Sequence, residues 1–324
     1  MSKSSKLSLK AASLKSSSLE ASSVKISAKR SADYIFNLIK NNDIKFVDFR
    51  FSDYRGKWLH TTYSADVVGE EELRDGISFD GSSVPMWKHI NESDMTLLPD
   101  LETAFIDPFT AFPTLVLICD VVDPSTGKGY ERDPRNTAKL AEDYLKSTGI
   151  GDVVYFGPEP EFFVFDDVKF QNKPNDCFYK IDSEEDPCNN GKSYPAGNMA
   201  HRSSLKGAYF DLSPLDSGSD MRSEMMETLR QVGIFPLLHH HEVANSQFEI
   251  GFKYSTLTET ADNVQKFKYV VHNVCQSYGK TATFMPKPIF GDNGSGMHVH
   301  QSIWKDGKPL FLGKGYAGLS DLAL

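Results

Sequence analysis

Three stretches of the chain carry metal-capable side chains two residues apart. "EPE" holds Glu159 and Glu161, "HHHE" holds His240 and Glu242, and "MHVH" holds His298 and His300. On a β-strand, residues i and i+2 project from one face about 6.5–7 Å apart. Each pair is set among apolar residues, as in "YFGPEPEFFVFD" (155–166). One such pair alone is most often a solvated face or a satisfied core histidine. Three in one half of the chain point to a shared centre. Glu249 follows Glu242 by seven residues, an odd spacing that sets the two on opposite faces of a continuous strand. The intervening "ANS" (244–246) can turn or bulge the chain and bring both carboxylates inward. Four glutamates with one or two histidines form an oxygen-dominated donor set, which suits Mg²⁺ or Mn²⁺ better than zinc or copper. Carboxylates packed this closely need cations to neutralise them. Two divalent ions on acidic ligands suit phosphoryl transfer.

The elements that must position these residues follow from pattern and punctuation. A chain of 324 residues has room for about two domains. Residues 1–30 are rich in Ser and Lys with one acid, Glu20. They read as a disordered basic extension, or alternatively as an organellar transit peptide, against which the near absence of Arg before Arg30 counts. A short helix is expected from Ser31, then a hairpin over 45–63 turning at "DYRGK", and a strand at "TLVLICDVVD" (114–123). Together these make a small mixed-sheet domain, 31–130. In the second domain, 131–324, "RDPRNTAKLAEDYLKSTGI" is a helix with Pro134 near its start and Gly149 after its end. A strand follows at 155–166, and then long loops over 167–219. Helices near 220–234 and 258–279 alternate with strands at 237–252 and 293–304. The fold class is α+β. "GKGYAG" (313–318) matches GxGxxG but has only six residues after it, too few for a βαβ unit. No P-loop, HExxH or GxSxG is present. The net charge of −9 argues against nucleic acid as a partner, and no apolar run is long enough for a membrane span. Four scattered cysteines without a CxxC pair suit a reducing compartment, so a cytoplasmic location is expected.

The motifs "FDGSS…INESDM" (79–83, 90–95), "FGPEPEFFVFD" (156–166), "HHHEVANSQFEIGFKY" (239–254) and "NGSGMHVHQS" (293–302) resemble, in order and spacing, bacterial-type (class I) glutamine synthetase. The resemblance runs from about Asp33 to the last residue. It implies a β-grasp domain joined to a catalytic domain with a curved, mostly antiparallel sheet. It also implies two stacked hexameric rings with active sites shared between neighbours. The implied reaction is ATP-dependent ligation of ammonia to L-glutamate through a γ-glutamyl phosphate. By resemblance, Glu161, Glu242 and Glu249 hold one metal, and Glu159 and His298 belong to the other. Asp80 binds and deprotonates ammonium in the neighbouring subunit's site. Asn293 and Gly294 contact glutamate, and His300, Gln301 and Ser302 contact ATP.

Two departures stand out. Leu237 occupies a position where the family has a nucleotide-contacting Glu, and the last third of the family's length falls beyond "YAGLSDLAL". The expectation is that this chain alone does not make glutamine, and that the Glu161 site holds metal better than the Glu159 site. Two alternatives remain. One is a non-catalytic metal- or nucleotide-binding relative that co-assembles with an intact synthetase. The other is a ligase joining glutamate to a larger amine.

Overall fold

The computed structural model describes residues 30–90, 93–188 and 200–324. Nearly all of the Ser/Lys-rich extension, residues 91–92 of "INESDM" and residues 189–199 lie outside the described residues.

The first half is one mixed sheet with a helix packed on it. Helix α1 (Ala32–Asn41) starts where the Ser31 hydroxyl accepts from the Tyr34 N–H, and it buries Ile35. Strands β1 (Phe46–Ser52) and β2 (Trp58–Ser64) form the expected hairpin, with Phe46 opposite Ser64. A short helix α2 (Glu70–Arg74) leads to β3 (Ile77–Asp80), β4 (Asp94–Ile106), β5 (Thr114–Asp123) and β6 (Lys128–Gly129). The sheet order is β2-β1-β5-β4-β3, with β6 on β5, and β1–β5 is the parallel pair. Val47, Phe49 and Phe51 alternate into the core with Ile35, Leu115 and Leu117.

The polar face of β1 is buried as well. Arg50 Nε donates to Asp48 at 2.6 Å, the guanidinium also pairs with Asp107, and it lies 4.4 Å from the ring centre of Tyr269. Tyr269 belongs to the second half, so this face is a seam between the two halves.

The second half begins with α3 (Pro134–Thr148). Asp133 caps it, Pro134 takes its first position, and Gly149 ends it in the left-handed region at φ +67°. Strand β7 (Val153–Phe165) is central to a seven-stranded sheet. The remaining elements are β8 (Asp167–Lys173), β9 (Asp176–Asp182), α4 (Ser219–Gln231), β10 (Pro236–His241), β11 (Gln247–Phe252), β12 (Ser255–Thr256), α5 (Leu257–Ser277), β13 (Thr281–Thr283), β14 (Met297–Lys305) and β15 (Lys308–Pro309). The order is β10-β11-β7-β14-β15, with β12 and β13 also on β7, and every pairing in it is antiparallel. Phe162 and Val164 pack into a core with Met225, Leu229, Phe267 and Val271 from α4 and α5. Arg135 at the start of α3 pairs with Asp262 of α5 at 3.0 Å and with Asp100 of β4 at 2.6 Å, and so bolts the halves together.

The expectation of long loops over 167–219 is corrected for its first part, because β8 and β9 pair as a hairpin from Asp167↔Asp182 to Lys173↔Asp176. Both faces of this hairpin are largely solvated, with Phe170 and Tyr179 exposed. It therefore lacks the apolar–polar alternation that marks a half-buried strand.

Candidate metal centre

The register of four strands assembles the site. On β7 and β14, Glu159 lies directly opposite His298. On β7 and β11, Glu161 lies opposite Glu249, and on β11 and β10, Glu249 lies opposite His240. Directly opposed residues hold their Cβ atoms about 4.5–5.5 Å apart. The strands thus lay two rows of ligating side chains on one face, two residues apart along β7. The opposite face carries Phe162 into the apolar core. Further along the acidic face, Phe163 and Phe165 are covered by Ala244 and Ile181. The same face thus changes from open cleft to packed core within four residues.

Glu242 enters as the odd spacing requires. It follows β10 directly, and residues 243–246 turn back into β11, with Ser246 at φ +65°. His240, Glu242 and Glu249 each offer a ligand atom, all within 4.8 Å of one another. His240 Nε2 stands 3.4 Å from Glu249 and its Nδ1 3.7 Å from Glu242. Together with Glu159, Glu161 and His298 these residues line a cleft of about 660 Å³. A larger cavity of about 1030 Å³ lies between the β8–β9 hairpin and β13. It is walled by Phe170, Phe178 and Met285 and gathers no comparable set of ligands, so the chemistry is assigned to the smaller cleft.

The electrostatics of the cleft fit a cation. Burial, and after it the charges of Glu242, Glu159 and Glu161, push the Glu249 carboxyl up to about 7. Burial also raises Glu161, with Glu242 adding to the effect and the Gly296 N–H opposing it. Such crowded anions on an oxygen-rich surface are what a hard divalent cation neutralises.

A buried network stands behind the turn. The Glu185 carboxylate accepts from the Ser217 N–H at 2.9 Å, the Ser217 hydroxyl at 2.7 Å and the Ser246 N–H at 2.7 Å. His241 Nε2 lies 2.9 Å from Glu185, and its Nδ1 lies 2.6 Å from the carbonyl oxygen of Glu242. Both acceptors lack protons, so both ring nitrogens donate and His241 is an imidazolium. Burial pushes Glu185 up, but the bonds from His241 and Ser217 outweigh it and hold the carboxyl below its ordinary range. This pair ties the backbone of Glu242 to the loop after β9.

The other expected residues divide. His300 shares the face of His298, and its Nε2 lies 3.1 Å from Glu159 at the open mouth of the cleft. Ser302 has the same parity, but its hydroxyl accepts from Trp304 Nε1 at 2.9 Å. Gln301 falls on the opposite face of β14 by alternation. Asn293 accepts from Lys206 Nζ at 2.9 Å. A Cβ on Gly294 would lie 2.3 Å from the Pro286 carbonyl oxygen, so only glycine fits there. Asp80 does not reach this cleft. It ends β3 on the first sheet, exposed, with its carboxylate accepting from the Ser82 N–H at 2.9 Å, the Ser82 hydroxyl at 2.6 Å and the Ser83 hydroxyl at 2.9 Å. The Ser82 and Ser83 bonds hold Asp80 below the ordinary carboxylate value. Leu237 is half exposed at the cleft wall.

Sequence reasoning passed over Gln247 and Glu185; it counted His240 among the metal-capable residues, but the ligand set implied by the resemblance leaves it out. Gln247 precedes Glu249 by two residues, so the period-2 argument extends to it. Glu185 carries no periodic signal, because it lies in irregular chain after β9.

Comparison with known proteins identifies the family of the chain. Residues 131–324 match the family description "Glutamine synthetase, catalytic domain" and residues 43–124 match "Glutamine synthetase, beta-Grasp domain". A glutamine synthetase of Azospirillum brasilense is 58% identical over 290 residues, covering 90% of this chain and 62% of that protein. A 3-hydroxylaminophenol mutase of Cupriavidus pinatubonensis is 57% identical over 291 residues, again with 90% and 62% covered. Among solved structures, the cryoEM structure of Plasmodium falciparum glutamine synthetase superposes with a TM-score of 0.84 at 28% identity, covering 92% of this chain and 59% of that one. The chain therefore spans about three fifths of the length of the relatives it matches. With both of its halves matched in order and more than half its residues shared with curated members, the chain belongs to the glutamine synthetase family.

Proposed function

We propose that the cleft serves ATP-dependent ligation of ammonia to the γ-carboxylate of L-glutamate, with Mg²⁺ or Mn²⁺ held by its acidic residues. One observation carries this reading. Glu161, Glu242, Glu249 and His240 converge on one side of the cleft while Glu159 and His298 pair on the other. Divalent cations bound there would neutralise the phosphate oxygens of ATP and orient them towards the glutamate carboxylate.

The chain's own residues have the following parts. His300, at the mouth beside Glu159, is placed to donate to a phosphate oxygen. Asn293 and Gly294 border the acidic row through Gln247, whose amide reaches the Gly294 carbonyl, and they are assigned to the glutamate backbone. A γ-carboxylate oxygen of glutamate attacks the terminal phosphorus of ATP and ADP leaves. The nitrogen of ammonia then attacks the γ-carbonyl carbon and phosphate leaves. Asp80 is ionised at neutral pH because Ser82 and Ser83 hydrogen-bond its carboxylate. Its negative charge is suited to hold ammonium, and taking the proton is the role that the family resemblance implies. Because Asp80 stands on the first sheet, away from its own chain's cleft, the reading places it at the cleft of a neighbouring copy in a ring assembly. The assembly this reading calls for is the stacked double hexamer that the family resemblance implies.

A second reading is binding of metal and nucleotide without turnover, in co-assembly with another synthetase. Leu237, an apolar side chain in the cleft wall, favours it. One assay separates the two. Protein purified from its source cells is incubated with ATP, Mg²⁺, glutamate and hydroxylamine, which traps a γ-glutamyl phosphate as the hydroxamate. Hydroxamate that depends on both ATP and glutamate supports the ligase. Nucleotide and Mn²⁺ binding with no hydroxamate supports the second reading, and absence of Mn²⁺ binding refutes both.

A further inference from the structure

Gln247 is 1% exposed, and its side-chain amide makes three hydrogen bonds that fix its orientation. Its Nε2 donates to Glu161 Oε2 at 2.6 Å and to the Gly294 carbonyl oxygen at 2.9 Å. Its Oε1 accepts from the Ala244 N–H at 3.3 Å. A carboxylate and a carbonyl can only accept, and a backbone N–H can only donate, so the flipped amide would lose all three bonds. The Gly296 N–H donates to the same Glu161 Oε2 at 3.1 Å. Two donors thus occupy one oxygen of Glu161, a residue that lines the cleft. Glu242 is treated alike, since its Oε2 accepts from the Val243 N–H at 2.9 Å.

We propose that Gln247 is a positioning residue that holds Glu161 as a one-oxygen ligand and thereby biases the centre towards small six-coordinate cations over calcium. This rests on the metal-binding part of the function proposed above. Mg²⁺ demands near-ideal octahedral geometry, whereas Ca²⁺ takes six to eight oxygens and readily accepts both oxygens of one carboxylate. With two donors on Oε2, both of its lone pairs are engaged, and Glu161 offers an ion Oε1 alone. The Gln247 amide also joins Glu161 to the carbonyl of Gly294, so the acidic row and the 293–296 loop move as one piece. Groups that orient a ligand in this way typically govern metal affinity 10–100-fold.

The test measures binding of Mn²⁺ by electron paramagnetic resonance, with Ca²⁺ as competitor, on the 324-residue chain and two variants. Gln247→Met keeps the volume and removes the donor. Gly296→Ala reaches the same carboxylate by another route. Its Cβ would lie 2.9 Å from Glu161 Oε1, the movable end of a side chain, with no backbone atom among its close contacts. It therefore shifts the ligand with little threat to folding. The expected result is a loss of about tenfold or more in Mn²⁺ affinity in both variants. In Gln247→Met the ratio of Mn²⁺ to Ca²⁺ affinity also falls. A merely structural role would weaken both cations equally and leave that ratio unchanged. If wild type binds Mn²⁺ and the variants match it in affinity and ratio, the inference on Gln247 is overturned while the metal reading stands. If wild type binds no Mn²⁺, the metal reading itself fails.

Discussion

Replacing Glu249 by Gln should stabilise the metal-free protein above neutral pH while weakening its response to metal. Glu249 is 12% exposed at the side chain, and burial together with three neighbouring glutamates raises its carboxyl from 4.5 to about 7. A carboxyl raised in the folded state binds its proton more tightly there than in the unfolded chain. Its contribution to stability is therefore fully present below the ordinary value and is lost as pH rises through the folded one. The gap from 4.5 to about 7, at 1.36 kcal/mol per pH unit, sets a ceiling of about 3 kcal/mol. The Glu249 carboxyl is coupled to its neighbours' charges and the cleft is open to water, so about 1–2 kcal/mol is the working figure. Urea unfolding with EDTA at pH 8.5 and pH 5 tests this. Glu249→Gln should gain about 1–2 kcal/mol over wild type at pH 8.5 and show little difference at pH 5. Adding Mn²⁺ should stabilise the variant less than wild type, because only the Glu159–His298 site remains intact. A variant less stable than wild type at pH 8.5 in EDTA, or one that still responds fully to Mn²⁺, would refute the reasoning.

Mn²⁺ titration should reveal two classes of site. Glu161→Ala should remove the tighter one, where Glu242, Glu249 and His240 converge, and Glu159→Ala the weaker one, where Glu159 is 41% exposed. Equal occupancy of two sites, or loss of binding only in Glu159→Ala, contradicts this order. Glu185→Ala should cost about 3–5 kcal/mol in urea unfolding, because it strands a buried imidazolium and the Ser217 and Ser246 N–H groups. The Glu185 carboxyl is held low in the folded state, so its contribution is present above the ordinary carboxylate range and is lost as pH falls below it. A cost under about 1 kcal/mol at pH 7 would show that the network does not hold the turn.

Much of the fold was legible because local signals agreed. Strand β5 spans the ten residues "TLVLICDVVD", and α3 has its Pro134 and Gly149 at the expected ends. The paired spacing of Glu159 with Glu161 and of His298 with His300 was enough to put each pair on one face. Pairing alone could not reveal that β7, β11 and β10 align Glu161, Glu249 and His240 in one row, because register is a property of two chains side by side. The β8–β9 hairpin was missed because its turn formers outweigh weak strands that bury little. The buried polar face of β1 was also illegible. Asp48 and Arg50 alternate as a solvated face would, and Trp58 of β2 and Tyr269 of α5 lie over Arg50. Glu185 has no pattern at all, since a residue that acts through tertiary hydrogen bonds leaves no periodic trace.

The most direct test of the account is an anomalous difference map from crystals of the protein grown with Mn²⁺. The account predicts two peaks in the cleft, the stronger among Glu161, Glu242 and Glu249 and the other between Glu159 and His298. A cleft without peaks, or manganese bound only away from β7, would contradict it.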